Sequence, residues 1–234
     1  MSVASPRPAW AGRLDRIVVT AFVGTWLAAL IRFAPALARV EHALAAGLGA
    51  LAGYLLADLL SGSVHWLADR YFEPDTPLIG PLLIAPFREH HADASEIARH
   101  DFFEVSGNNA LVTLPLVLVL LASSPPDAIA PIAAAPLLRA GMIGLGLGLA
   151  AALFLTNQLH CWAHTASPPP LVRRLQARGW ILSRESHALH HRGSHDRAYC
   201  VTSGWLNPLL DRIHFFSLLE GLISTLTRRR RRTI

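Results

Sequence analysis

The sequence predicts an all-α integral membrane protein with about four transmembrane helices and a helical, histidine-rich cap on the cytoplasmic side. Three observations predict it. Of 234 residues, 52% are hydrophobic and only 16% charged, which is more apolar than a soluble globular domain of this size. Four apolar segments approach the roughly 20 residues that a helix needs to cross a hydrocarbon core of about 30 Å. The histidines gather at the polar ends of those segments and in the stretches between them.

The first segment covers residues 17–31, between Arg16 and Arg32. No small-residue cleavage site follows it, so it reads as a retained anchor. The second, residues 43–67, is longer than the bilayer core at about 1.5 Å per residue, so its last turns should emerge into water. The third has an apolar core at 110–122 only; it spans if its flanks join it, or else it is tilted or re-entrant. The fourth, residues 137–156, is rich in Gly and Ala, which permits close helix packing, and it runs unbroken into "NQLHCWAHT". A Pro-rich connector, "SSPPDAIAPIAAAP", precedes it. These boundaries predict an N-terminal cytoplasmic segment (1–16), a membrane domain (17–220) and an Arg-rich tail (221–234).

All 21 basic residues are arginines, and the net charge is +5. With the N-terminus inside, Arg7, Arg13 and Arg16, then Arg70, Arg88 and Arg99, then the many arginines after Thr165 all fall on the inner side, whereas the outer loops hold little beyond Arg32 and Arg39. This asymmetry predicts cytoplasmic termini in a bacterial inner membrane. The run at 228–232 suits anionic headgroups. The basic residues are not interleaved with a stacking surface, so no nucleic-acid partner is expected. Cys161 and Cys200 form no CxxC pair, which argues against a disulfide framework or a cysteine-built zinc site.

Of 12 histidines, all but His42 and His214 belong to four groups: His65; His90, His91 and His100; His160 and His164; and His187, His190, His191 and His195. Each group lies at a predicted cytoplasmic helix end or loop. A metal site explains that sorting, because neutral imidazole ligates iron, zinc, copper and nickel. A merely polar or pH-responsive face is the alternative, although crowded protonated rings repel one another. His160 and His164 share a helix face at i,i+4, and His187 meets His190 and His191 at i+3 and i+4. Asp58, Gly62, His65 and Asp69 form one stripe of the second helix. An ionisable residue inside an apolar helix is a functional candidate by default. Asp58 could orient a histidine from behind, or it could satisfy helix-packing donors.

One ion accepts four to six ligands, so this many histidines suit two ions. Spacing does not separate two irons from two zincs. A lipid chain beside such a site presents unactivated C–H bonds, whose oxidation calls for redox-active iron and O2, whereas hydrolysis would need only one Lewis-acid metal.

"DLLSGSVHWLAD" (58–69), "PFREHHADASEIARHDFFEVSGNNALVTL" (86–114), "TNQLHCWAHT" (156–165) and "SHALHHRGSHDRAYCVTSGWLNPLLD" (186–211) resemble the lipid desaturase family. That family includes plasmanylethanolamine desaturases, their bacterial CarF-type members and plant desaturases acting on the palmitate of phosphatidylglycerol. The resemblance covers residues 50–220 and implies an O2-dependent di-iron membrane enzyme supplied with electrons by cytochrome b5 or a ferredoxin. In the plasmalogen branch it implies conversion of the alkyl ether chain of a phospholipid to a vinyl ether. It places His65, His90, His91, His160, His164, His187, His190 and His191 at the irons as the catalytic set, with His100 and His195 as further ligand candidates or supports behind the ligands. It further suggests that "HDF" at His100 and "WLN" at Trp205 shape the site without binding metal. Asn108 and Ser186 stand where the family often carries Asp and His, which leaves headgroup and regiochemistry open.

Asp58, Asp69 and Asp211 are candidates for supporting the site from behind the ligands. Asp69 and Asp211, with Glu89, are also candidates for proton transfer, against surface or capping roles. Two rival functions remain at this level. A hydroxylase would use the same metal site and add oxygen instead of removing hydrogen. A non-enzymatic metal carrier or haem protein would need polar or axial residues deep in the span, where Asp58 is nearly alone.

Overall fold

The computed structural model describes residues 9–77, 79–80, 84–122 and 136–227, excepting the side chains of Ala9, 86–89 and Thr227. Residues 123–135 of the Pro-rich connector, the run at 228–232 and the Glu89 side chain lie outside that description. No strand occurs among the described residues. The helices are α1 (Ala9–Phe33), α2 (Val40–Arg70), α3 (Ala85–Ala92), α4 (Phe102–Ala122), α5 (Pro136–His164), α6 (Pro170–Ala177), α7 (Arg184–Ala188), α8 (Asn207–Arg212) and α9 (Phe215–Thr227). Four are long and apolar enough to cross a membrane: α1 with the turn after it, α2, α4 and α5.

The structure resolves the short third segment. Helix α4 begins at Phe102 and runs 21 residues, because the polar "FFEVSGNN" joins the apolar core as its first turns. Asp101 starts it: its Oδ1 accepts the backbone N–H groups of Phe103 (2.9 Å) and Glu104 (3.0 Å), donors a helix leaves orphaned at its N-terminus. At the other boundaries, residues 9–16 already belong to α1, and α9 runs through position 221.

The chain forms two compact units, one from Met1–Leu56 and Asp101–Asn157, the other from Ala57–His100 and Gln158–Ile234. In the first, Val18, Val19, Phe22, Ala29 and Phe33 of α1 share a core with Ala110 and Val117 of α4 and Ile143, Leu147, Ala150 and Phe154 of α5. Phe22 stacks on Phe154 at 4.3 Å. Leu27, Ile31, Val112 and Val119 remain exposed on these helices, as expected of faces turned to lipid. The glycines of α5 admit α2 closely: a Cβ on Gly144 would lie 2.0 Å from the Ala46 carbonyl oxygen, and one on Gly148 2.6 Å from Ala50 Cα.

The second unit packs Trp66 of α2 with Tyr199, Cys200, Leu210 and Phe216. Its polar interior is organised around the irregular segment 194–206. Asp58, fully buried, accepts the backbone N–H groups of Thr202 (3.2 Å), Ser203 (2.7 Å) and Gly204 (2.9 Å) on Oδ1, and that of Leu206 (3.2 Å) on Oδ2. Ser61 Oγ accepts from Val201 N at 3.2 Å. Asn207 brackets Cys200, accepting its N–H at 2.9 Å and donating to its carbonyl at 3.0 Å. Gly62 lets this segment approach α2, since a Cβ there would meet Cys200 Sγ at 2.6 Å. Both cysteines are buried free thiols.

Candidate metal centre

Helical periodicity arranges the ligands. Residues four apart project from one face, whereas neighbours in sequence diverge by about 100° at 3.6 residues per turn. Accordingly the i,i+4 pairs stay together and the His-His doublets divide. His160 and His164 of α5, His187 and His191, and His90 of α3 form one group; His65 and Asp69 of α2, His91 and His190 form a second. Within each group the ligand atoms all lie within 4.8 Å of one another.

In the five-histidine group, Nε2 of His160 lies 2.8 Å from Nε2 of His187 and 3.3 Å from that of His164. Nε2 of His191 lies 3.0 Å from that of His90 and 3.1 Å from that of His187. In the second group, His91 Nε2 stands 3.5 Å from His65 Nε2 and 3.2 Å from His190 Nε2. The Asp69 carboxylate is 3.6 Å from His65, 3.5 Å from His91 and 3.5 Å from His190. Donors bound at about 2.1 Å to one ion stand about 3.0–3.4 Å apart along the edges of an octahedron or tetrahedron, and the separations here, from 2.8 Å to 3.6 Å, bracket that range.

The hydrogen bonds behind the rings fix their tautomers. His65 Nδ1 contacts the Tyr199 carbonyl at 3.1 Å and His190 Nδ1 the Arg197 carbonyl at 2.8 Å. A carbonyl only accepts, so each Nδ1 carries the proton, and in the neutral ring Nε2 presents a lone pair. Those lone pairs converge on the Asp69 oxygens, which are acceptors as well. A cation at their centre reconciles the arrangement, so these residues fit a metal ion.

Burial keeps the rings neutral. It holds His90 and His187 well below the usual imidazole range, aided by neighbouring histidines. It lowers His91 to about 3, where Asp69 opposes it, and His190 and His191 to about 4. Neutral imidazole is the ligating form.

The remaining predicted residues fall elsewhere. His100, on the turn Glu96–Arg99 and its cap, pairs with Glu96 and belongs to neither group. His195 stacks on His91 with ring centroids 4.7 Å apart, yet it is not a member of either group. Asp58 faces backbone N–H groups, as described above, and no histidine contact is seen for it among the described residues. Asp211 accepts from Ala198 N at 3.2 Å, supporting its left-handed backbone at φ +55; burial raises its pKa. Asp69 is fully buried beside His65, His91 and His190, away from the surface. Sequence reasoning did not find Arg70, Tyr199 or Glu220. Arg70 Nε donates to Tyr199 Oη at 3.1 Å and pairs with Glu220 at 3.4 Å, and Trp66 Nε1 donates to the same Glu220 at 3.1 Å. An Arg ending an apolar helix was the available signal, and it reads equally as an interface anchor.

Against known proteins, residues 54–234 match the family model described as a lipid desaturase domain. The chain is similar to plasmanylethanolamine desaturase of Myxococcus xanthus, 41% identical over 180 residues that cover 76% of this chain and 60% of that protein. It is likewise 41% identical over 196 residues to mouse plasmanylethanolamine desaturase 1, covering 82% of this chain and 69% of that one. Arabidopsis chloroplastic fatty acid desaturase 4 is 35% identical over 180 residues, covering 74% and 50%. The chain thus spans less than two thirds of the length of the Myxococcus and Arabidopsis relatives. No solved structure matches.

Proposed function

The chain belongs to the lipid desaturase family, and from that premise we propose that it is an O2-dependent membrane desaturase with two iron ions, one in each ligand group. The observation that carries this reading is the pair of adjoining groups, five imidazoles beside three imidazoles and a carboxylate. Iron supplies the oxidising power that an unactivated C–H bond requires. The protein's part is to hold neutral Nε2 donors in place and to keep water away, through buried rings such as His65, His187 and His190.

The substrate we propose is a membrane phospholipid carrying an alkyl ether chain, with the vinyl ether of plasmalogens as product. Two observations favour this class. His65 and Asp69 sit in the last turns of α2, and His160 and His164 in the last turns of α5, both apolar enough to cross a membrane. Two of the most similar relatives carry plasmanylethanolamine desaturase as their name. The balance of the reaction is that two hydrogens leave neighbouring carbons while O2 is reduced to two waters. Two of the electrons come from the substrate and two from an external donor, for which cytochrome b5 or a ferredoxin is the proposed class. The arginine distribution supports histidines and termini on the cytoplasmic side, and a bacterial inner membrane is the proposed location.

Lipid mass spectrometry of a host lacking vinyl ethers, with and without the chain, tests the reading. Loss of two hydrogens from an ether lipid is the expected result. Loss from an acyl chain instead would move the substrate to fatty-acyl phospholipids. Gain of one oxygen would make the protein a hydroxylase, and an unchanged lipidome with electron donor present would overturn the enzyme reading.

A further inference from the structure

The two ligand groups are chemically unlike. Five neutral imidazoles form one; the other includes the carboxylate of Asp69. They also differ in what stands behind the rings. His65 and His190 each donate through Nδ1 to a backbone carbonyl, those of Tyr199 and Arg197. His90 and His187 of the five-histidine group have buried Nδ1 atoms with no hydrogen-bond partner among the described residues. In the carboxylate group His91 is the ring of that kind.

The two carbonyls belong to one segment, and Arg70 grips it. This buried side chain donates to Tyr199 Oη at 3.1 Å, to the Ser194 carbonyl at 3.3 Å and to the His195 carbonyl at 3.4 Å, with Glu220 as its counter-charge. Asp211 and Asn207 secure the same stretch at Ala198 and Cys200. The Tyr199 and Arg197 carbonyls therefore cannot swing away from their histidines unless several buried hydrogen bonds break. Carbonyl partners fix a ring's orientation and raise its basicity as a ligand. A full negative charge in a site with little water attracts a cation more than one additional neutral imidazole does.

Resting on the reading that both groups hold metal, we infer that the two ion sites are unequal. The ion at His65, Asp69, His91 and His190 is firmly retained, the ion among the five imidazoles exchanges, and Arg70 is a positioning residue for the retained site. The five-histidine site is then the one whose occupancy follows the metal supply, so partial loading leaves a single ion at the carboxylate site.

The test loads the purified full chain with Co2+ in detergent and challenges it with excess chelator. Metal content and the cobalt absorption spectrum are followed in time. Two ions per chain are expected to leave in two phases whose rates differ by at least about tenfold, the range that supports behind a ligand are worth. Asp69→Asn should speed the slow phase at least about tenfold and leave the fast one unchanged. His164→Ala should remove the fast phase and leave the slow one. Arg70→Lys, which keeps the charge but not the guanidinium fork, should shift the spectrum of the retained ion and speed its loss. Loss of both ions at one rate, or a slow phase that survives Asp69→Asn and vanishes in His164→Ala, would overturn the inference while leaving two sites in place. Uptake of one ion or none would instead overturn the two-ion reading itself.

Discussion

Nε2 of His160 and Nε2 of His187 stand 2.8 Å apart, although the residues are 27 positions apart in the chain. A shared proton could join two such nitrogens. It could not also serve His164 and His191, which approach the same pair at 3.3 Å and 3.1 Å. Replacing His160 or His187 by Ala should therefore reduce desaturation by more than about 100-fold, beyond the 10–100-fold that losing a partner behind a ligand costs. Product measurement, with metal content as control, checks this; wild-type turnover in either variant would remove that histidine from the site.

Asp58 tests a different element, the scaffold. Its two oxygens accept four buried backbone N–H groups from Thr202, Ser203, Gly204 and Leu206. Asp58→Ala strands those donors, at about 1–3 kcal/mol for each left unsatisfied, and should prevent the second unit from folding. Asp58→Asn keeps one acceptor oxygen but loses the charge, and should cost about 2 kcal/mol. Thermal unfolding in detergent distinguishes the two. If Asp58→Ala melted like wild type, the carboxylate would not be what holds residues 202–206.

What was legible in the sequence is what periodicity encodes. Apolar length marks four helices, and i,i+4 spacing pairs His160 with His164 and His65 with Asp69. The extension of α4 back to Phe102 was less visible, because "FFEVSGNN" is polar enough to read as a loop until Asp101 is seen capping it. For Asp69 the spacing leaves two readings open, a support behind the ligands or a surface or capping carboxylate, because a carboxylate one turn beyond a helix-end histidine looks the same in either place; the fold buries it beside His65, His91 and His190. The partners of His65 and His190 were invisible in principle, since both are backbone carbonyls and no side-chain pattern announces them. His100 shows the limit of that pattern: it lies in a histidine-rich stretch that suggests ligation, and in the fold it pairs with Glu96 outside both groups.

The contact between α2 and α5 depends on residues without side chains. A Cβ on Gly144 would lie 2.0 Å from the Ala46 carbonyl oxygen, and one on Gly49 2.0 Å from that of Gly141. Neither obstacle is a flexible side chain, so the backbones themselves must part. Gly144→Ala or Gly49→Ala should each destabilise by about 1–3 kcal/mol, the usual cost of overpacking. Gly24→Ala, with nothing within 4 Å, should be neutral or slightly stabilising through helix propensity. Melting temperatures of the three variants in one detergent decide it, and equal values would mean that the helices do not approach this closely.

The last expectation concerns pH in the metal-free protein. Burial lowers His190 and His191 to about 4, and His91 to about 3, whereas the unfolded chain protonates histidine near 6.5. Between those limits the unfolded state binds more protons than the folded one, so stability rises with pH across that window. The stabilisation is complete above about pH 6.5 and drains away as the pH falls toward 4. Bound metal competes with protons for the same Nε2 atoms and stabilises the folded state by mass action. Loading with Zn2+ should therefore raise the melting temperature at neutral pH and move the acid limb to lower pH. Melting curves between pH 7.5 and 4.5, with and without chelator, measure both effects. A chelated protein equally stable across that range would show that these imidazoles are not held neutral by the fold.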